Sequence, residues 1–388
     1  MKFLTKTIVI LSIISMMTDI SSEMLYPVLP MFLKSIGFSV LWIGILEGFA
    51  EAIAGFSKGY FGRMSDKIGK RVPFVRIGYT LSAISKPLIG IFAIPVLVFL
   101  FRTMDRFGKG VRTAARDAIL SSETTKEYKG RVFGFHRSFD TLGAAIGPIL
   151  ALIYLHFYPE NYTTLFILAF IPGFIGIIFT FFLREKKSDV IPLVTNKTKF
   201  LEFLSYWKKS SKSFKKTVIG LIVFTAINSS DIFLLLLVKQ NGLSDSNVII
   251  LYIFYNLVYA LFSAPMGWLG DKIKLKNSLV LGMFLFGIVY IFIPFVSSSW
   301  IYYLLFSVYG ISISAIEGNS KALVSNISEK EETATAIGFL TSFQSIATLL
   351  ASSIAGILWS AITPAAPFLL SGIVALFCSV YFLFVRLK

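Results

Sequence analysis

The stretch DRFGKGVRTAARD, Asp105 to Asp117, holds six ionisable side chains in thirteen residues. At 3.6 residues per turn, Arg102, Asp105, Arg106, Lys109, Arg112, Arg116 and Asp117 fall within an arc of roughly 140° of a helix, with Leu100, Phe107, Val111 and Ala114 on the other side. Such a face can bind an anion or pair with carboxylates. On a solvated loop it would say nothing; inside a bilayer each charge costs at least ~2.5 to 3.5 kcal/mol and marks a functional site. Two pairs of carboxylates, Asp19 with Glu23 and Glu47 with Glu51, are spaced four apart on one helix face each. Two carboxylates side by side in low dielectric cannot both ionise cheaply, so such a pair can take up and release a proton. The alternative is pairing with Lys58, Lys86 or Arg106 that only holds helices together. Asp231, beside Asn228, has no obvious partner in its own segment and is a candidate for a solute cavity, whereas Glu317 and Lys321 are spaced to bridge.

The elements that must position these residues follow from composition. The chain has 388 residues, 55% hydrophobic and 15% charged, with 39 Phe and a mean hydropathy of +0.77, a balance that a water-soluble globule could not cover with polar surface. Windows of about 20 apolar residues, enough to cross a bilayer as a helix, recur near 7 to 33, 41 to 62, 73 to 94, 96 to 119, 133 to 155, 164 to 183, 217 to 238, 247 to 270, 277 to 297, 300 to 325, 335 to 359 and 366 to 385. The expectation is an all-α membrane protein with twelve transmembrane helices. The charged stretch at 105 to 117 then lies on the fourth of them and looks into the bundle. Arg112, Arg116 and Asp117 could instead sit at the cytoplasmic headgroups. The net charge of +16 is concentrated between spans, where orientation and anionic lipids explain it without nucleic acid. One Cys and two His offer no disulfide and no metal spacing. No cofactor is expected.

Lys and Arg set the orientation. Arg63, Lys67, Lys70 and Arg71, ten basic residues from Arg184 to Lys216, then Lys272, Lys274, Lys276, Arg386 and Lys388 fall on one side, against Lys34 and Lys239 on the other. Both termini are therefore expected in the cytoplasm. The basic segment 184 to 216 reads as a cytoplasmic linker, part amphipathic helix on the inner leaflet, between bundles at 1 to 183 and 217 to 388. The halves echo one another. Gly62-x-x-x-Asp66-Lys67-Ile68 matches Gly267-x-x-x-Asp271-Lys272-Ile273, and Lys34 to Ser39 matches Lys239 to Ser244, at an offset of 205; Gly134-Phe135 matches Gly338-Phe339 at 204; Ser21-Ser22-Glu23 matches Ser229-Ser230-Asp231. Two six-helix bundles with a solute site between them near the midplane are expected from such parallel repeats.

Gly62-Arg-Met-Ser-Asp66-Lys67-Ile-Gly69-Lys70-Arg71 resembles the cytoplasmic loop motif of the major facilitator superfamily, and the resemblance covers the whole chain. The second copy keeps Gly267, Asp271 and Lys272 but has Lys274 for the second glycine. Arg106 to Gly110 resembles the superfamily's Arg-x-x-Gln-Gly pattern with Lys109 for Gln. Gly143-Ala-Ala-Ile-Gly147-Pro148 is similar to the core of the antiporter motif, with Ala151 and Leu152 where a Gly pair would follow. By sequence alone, Gly143 and Gly147 also make a small-xxx-small packing face, and Pro27, Pro30, Pro87 and Pro148 favour kinks. The run from Asp105 resembles a branch of prokaryotic facilitators without an assigned substrate. The resemblance implies two pseudo-symmetric bundles, alternating access, and a gate in which Asp66 meets the N-terminus of a neighbouring helix; by its own position at the cytoplasmic face Asp66 is also expected to pair with Arg112 or Arg116.

No Walker A or GxSxG signature is present, and an enzyme is not expected. The expected function is secondary transport of a small organic solute by a monomer in the cell membrane, among membrane lipids. Coupling is expected to be to protons, as efflux by antiport. The alternatives are proton symport importing an anionic metabolite on the basic face of the fourth helix, and lipid translocation. Candidate coupling and transport residues are Asp19, Glu23, Glu47, Glu51, Arg106, Lys109, Asp231, Glu317 and Lys321.

Overall fold

In the computed structural model, residues 4–26, 28–185, 199–228 and 231–387 are described. The helices are α1 (Lys6–Glu23), α2 (Leu29–Ser35), α3 (Val40–Ile68), α4 (Val72–Ile91), α5 (Pro95–Ser122), α6 (Lys129–Phe157), α7 (Tyr162–Leu168) and α8 (Phe170–Thr180). They continue as α9 (Tyr206–Lys209), α10 (Lys212–Ile227), α11 (Asp231–Gln240), α12 (Asp245–Ile273), α13 (Leu275–Phe292), α14 (Ser299–Ile327), α15 (Thr333–Ala361) and α16 (Ala366–Phe384). Pro27, Ser229, Ser230 and part of the linker, 186 to 198, lie outside the described residues.

Local chemistry places the ends. The hydroxyls of Thr5, Ser39, Ser211 and Ser244 accept backbone N–H groups in the first turns of α1, α3, α10 and α12, satisfying donors that a helix start leaves open. Gly69 ends α3 at φ 69°, its N–H donating to the carbonyls of Ser65 and Asp66. At the matching place after α12, Lys274 adopts φ 77° and ψ 134°, a region that a side chain occupies only under strain.

Three of the twelve expected spans are interrupted. The first becomes α1 and α2, the sixth breaks at Ala169 into α7 and α8, and the seventh breaks after Ile227 into α10 and α11. Pro172 has no N–H for the carbonyl of Leu168, and the hydroxyl of Ser21 donates to the carbonyl of Ala169 at 2.5 Å. In the second half Ser371 donates to the carbonyl of Ile227 at 2.6 Å. Side chains thus take over backbone acceptors that the interrupted helix leaves open. Among the described residues, eight helical segments from Lys126 onward have the length and apolarity of membrane spans. The four expected spans before them are helical but carry the ionisable residues that lower their hydropathy.

By contacts the chain forms two compact units. The first takes in Met1–Glu123, Phe139–Lys208 and Glu329–Ser342, and the second Thr124–Ser138, Lys209–Ser328 and Phe343–Lys388. In the first unit α5 packs between α3 and α4 on small residues. A Cβ on Gly110 would meet Ser57 Cβ at 2.4 Å and one on Gly78 would meet the carbonyl of Gly108 at 2.6 Å. On α6, Gly143 and Gly147 bring α1 so close that a Cβ there would lie 2.5 Å from the carbonyl of Met16 and 2.8 Å from that of Ile20. In the second unit Gly130 and Gly134 of α6 lie against Gly267 of α12. Without a hydrophobic force between helices in lipid, such close backbone approach is what holds them.

Candidate transport site

The 28 residues of α5 span about 42 Å at 1.5 Å per residue. Its apolar side lies on α3, where Phe107 meets Phe61 at 5.4 Å between ring centroids and Ala114 sits beside Gly62. The charged side cannot face hydrocarbon and lines a cavity of about 610 Å³, counted with its open mouth. Asp19, Ser22 and Glu23 of α1, Ser82 and Lys86 of α4, and Arg102, Asp105, Arg106, Lys109 and Arg112 of α5 contribute to its wall. The glycines on α6 set this wall: Cβ atoms at Gly143 and Gly147 would press on the Cβ atoms of Asp19 at 3.1 Å and Glu23 at 2.9 Å.

The acids differ in what they touch. Glu47 accepts from Arg102 Nε at 2.7 Å and Nη2 at 2.9 Å, with Arg106 Nη2 at 3.7 Å. Asp105 accepts from the hydroxyl of Ser82 and from Arg102 Nη1 at 3.1 Å. Glu51 lies 3.8 Å from Lys58. Asp19 and Glu23 make no ion pair or side-chain hydrogen bond among the described residues. Of the bases, Lys86 is 2% exposed and Arg112 4%, yet Lys86 Nζ and Arg112 Nε and Nη1 have no hydrogen-bond acceptor. The guanidinium of Arg112 lies over the Tyr79 ring at 4.4 Å. Lys109 is exposed along the cavity wall.

Arg116 and Asp117 are buried at 8% and 1% exposure. They pair with each other at 2.9 Å, and Arg116 donates to Ser15 at 2.9 Å; a place among solvated headgroups does not describe them.

The loop motif builds a second constellation in the first unit. Asp66, its side chain 1% exposed, accepts from the backbone N–H and hydroxyl of Thr335, at 2.7 and 2.8 Å, in the first turn of α15. Its guanidinium partner is Arg71 at 3.1 Å, in place of the expected Arg112 or Arg116, because those arginines point along the inner face of α5. Arg71 also donates to the carbonyl of Ala118 at 3.3 Å. Gly62 admits the carbonyl of Ala334, which a Cβ would meet at 2.5 Å. Lys67 binds Glu202 of the linker at 2.6 Å, and Arg63 lies 3.5 Å from the same carboxylate. In the second unit Asp271 accepts from the N–H groups of Gly130 at 2.7 Å and Arg131 at 3.0 Å. Thr335 and Arg131 differ by the repeat offset of 204, so both copies seat a carboxylate on a helix start, where open N–H groups and the dipole favour negative charge.

Each unit thus seats a carboxylate on a helix start, and the first also holds the ionisable cavity. The family model described as Major Facilitator Superfamily matches residues 11–244 and 217–388. The chain belongs to the major facilitator superfamily. An uncharacterised MFS-type transporter of Methanocaldococcus jannaschii is 35% identical over 98% of this chain and 95% of its own length. Over about a third of each chain there is likeness to efflux pumps. The multi-drug resistance efflux pump PmrA of Streptococcus pneumoniae is 27% identical across 35% of this chain and 34% of its own, and the PmrA homolog of Lactococcus lactis 24% across 34% and 33%. The crystal structure of the human organic anion transporter MFSD10 (TETRAN) superposes with a TM-score of 0.79 at 15% identity, covering 98% of this chain and 100% of that one. The fold is thus the all-α superfamily fold, with twelve transmembrane helices in two pseudo-symmetric six-helix bundles, and the protein is a multi-pass membrane transporter rather than an enzyme.

Within this superfamily member the remaining candidates lie in the second unit. Asp231 accepts from the hydroxyl of Tyr309 at 2.6 Å. Tyr309 stacks on Tyr255 at 4.9 Å, and Arg137 Nε donates to Tyr259 at 2.6 Å. Glu317 and Lys321 are half-buried on α14. Residues that pattern reading passes over are Ser82, Tyr79, Arg137, Tyr309 and Glu202. Only Arg137 carries a sequence signal, a basic residue within an apolar span, three positions before Asp140. The linker also packs on protein: Phe203 is buried against Gly59 and Trp207 stacks on Phe339 at 5.7 Å.

Proposed function

We propose that this transporter couples the movement of a small organic solute to protons by alternating access, with Asp19 and Glu23 as the proton carriers. The observation that carries the reading is their place in the cavity wall without an ion-pair partner, while Glu47 and Glu51 are engaged by Arg102 and Lys58. A carboxylate already held by a guanidinium has little reason to exchange its proton; one facing an open cavity in low dielectric can. The efflux direction draws support from the names of the partial relatives. Symport of an anion is the second reading, favoured by the five cations against three carboxylates on the cavity wall; lipid translocation has no observation behind it. We also propose that residues 1 to 183 and 217 to 388 are the moving bundles, with both termini in the cytoplasm.

The test uses proteoliposomes with a trapped pH-sensitive dye and a panel of organic solutes added outside. Antiport alkalinises the lumen and symport acidifies it. Asp19→Asn and Glu23→Gln should abolish the proton movement that a solute evokes. If both variants move protons as the parent does, coupling through α1 is wrong.

A further inference from the structure

Resting on the reading of the cavity as the transport site, we infer that it recognises an oxyanion, a carboxylate or phosphate group, through Lys86, Lys109 and Arg112. Arg102 and Arg106 are spoken for: Arg102 bridges Glu47 and Asp105 and Arg106 leans on Glu47. Lys86, Lys109 and Arg112 are left, from two helices, on the wall of one cavity. Among the described residues none of the three lies within ion-pair distance of a carboxylate, and Lys86 Nζ and Arg112 Nε and Nη1 have no acceptor at all.

An ammonium buried to 2% exposure with three unmet donors is expensive to keep. A fold that merely packed its helices would do better with an apolar side chain at position 86, like the neighbouring Ile89, itself buried. The donors that remain suit a polyatomic anion. A guanidinium offers two parallel N–H groups to an oxygen pair, and two ammonium groups supply point charges beside it. A cationic or neutral solute would leave all of them unmet. Asp19 and Glu23 across the cavity compete with such an anion for the same cations, so neutralising either should favour it.

The test is ligand-dependent thermal stabilisation and calorimetry on the purified full-length protein in phosphatidylcholine nanodiscs. The probes are inorganic phosphate, succinate, short-chain phosphatidic acid and choline. Phosphate or succinate should bind and choline should not. Lys86→Met and Arg112→Gln should each weaken the anion by about tenfold, the loss of a charge-assisted hydrogen bond, and Glu23→Gln should tighten it. Lys86→Met should at the same time raise the melting temperature without ligand, which a lysine holding structure together would not do. Binding of phosphatidic acid alone would keep the oxyanion chemistry and assign it to a lipid headgroup. Binding of no anionic probe, preference for choline, or unchanged anion affinity in both cation variants overturns the inference. Failure of the transport reading looks different: anions bind as described, yet no solute evokes proton movement in proteoliposomes.

Discussion

Replacing Asp66 by Asn keeps the shape of the side chain and removes its charge. One oxygen of Asp66 accepts both donors of Thr335, at 2.7 and 2.8 Å, and the other accepts from Arg71 at 3.1 Å. The best an asparagine can do is turn its oxygen to Thr335, which sets its amide N–H against the Arg71 guanidinium. One charge-assisted hydrogen bond is then lost and two fall to neutral strength, together about 2 to 4 kcal/mol, with a further ~0.5 kcal/mol from the α15 dipole. An equilibrium between attached and detached forms of this helix start would move by roughly seventyfold to about two thousandfold. Spin labels at Lys70 and Glu331, both exposed, in a Cys378→Ala background would report it by double electron–electron resonance. The distance distribution should lengthen and broaden in Asp66→Asn, with Thr335→Val giving a smaller change of about 1 kcal/mol from the hydroxyl alone. An unchanged distribution in a folded, inserted Asp66→Asn protein would refute the reasoning.

Lys274→Gly should raise thermal stability by about 1 kcal/mol, since glycine adopts φ 77° without strain but loses more freedom on folding; a drop in melting temperature would show the lysine to be relaxed there. Burial raises the Glu202 carboxyl toward its neutral form, but the Lys67 ammonium, the N–H of Lys199 and the charge of Arg63 outweigh this and hold it below the usual glutamate range. Its contribution to linker docking is therefore complete above about pH 4.3, the ordinary glutamate value, and lost as pH falls through the lower folded-state value. Trp207 fluorescence, read against Trp207→Phe, should shift to the red only in that acid window, and at higher pH in Lys67→Met. Cysteines at Lys199 and Ser297, both exposed, should label from the cytoplasm and from outside, respectively; labelling from one side would refute the proposed orientation.

What the sequence made legible was what is periodic or repeated. The charged face of α5 follows from spacing alone, and the loop motif and its second copy follow from the offset. Helix interruptions were less visible, because the break at Ala169 rests on Ser21, 148 positions away, and no local pattern encodes a partner at that range. The same holds within the cavity. Lys86 is plain as a charge in an apolar span, but that its ammonium lacks an acceptor while Arg102 serves two carboxylates is a property of three helices together. Asp231 read as partnerless because its partner, Tyr309, is one of sixteen tyrosines with nothing to mark it. Glu202 was hidden by its setting, one of three acids among ten basic residues that dominate any reading of the linker.

The start of α15 belongs to the second half of the sequence yet lies in the first unit, and the start of α6 belongs to the first half yet lies in the second. Each half therefore lends the other a segment, Glu329–Ser342 or Thr124–Ser138, that satisfies its repeated carboxylate. In one half alone Asp66 would keep Arg71 but lose both donors of Thr335, and Asp271 would lose the backbone N–H groups of Gly130 and Arg131, so neither half seats its own carboxylate.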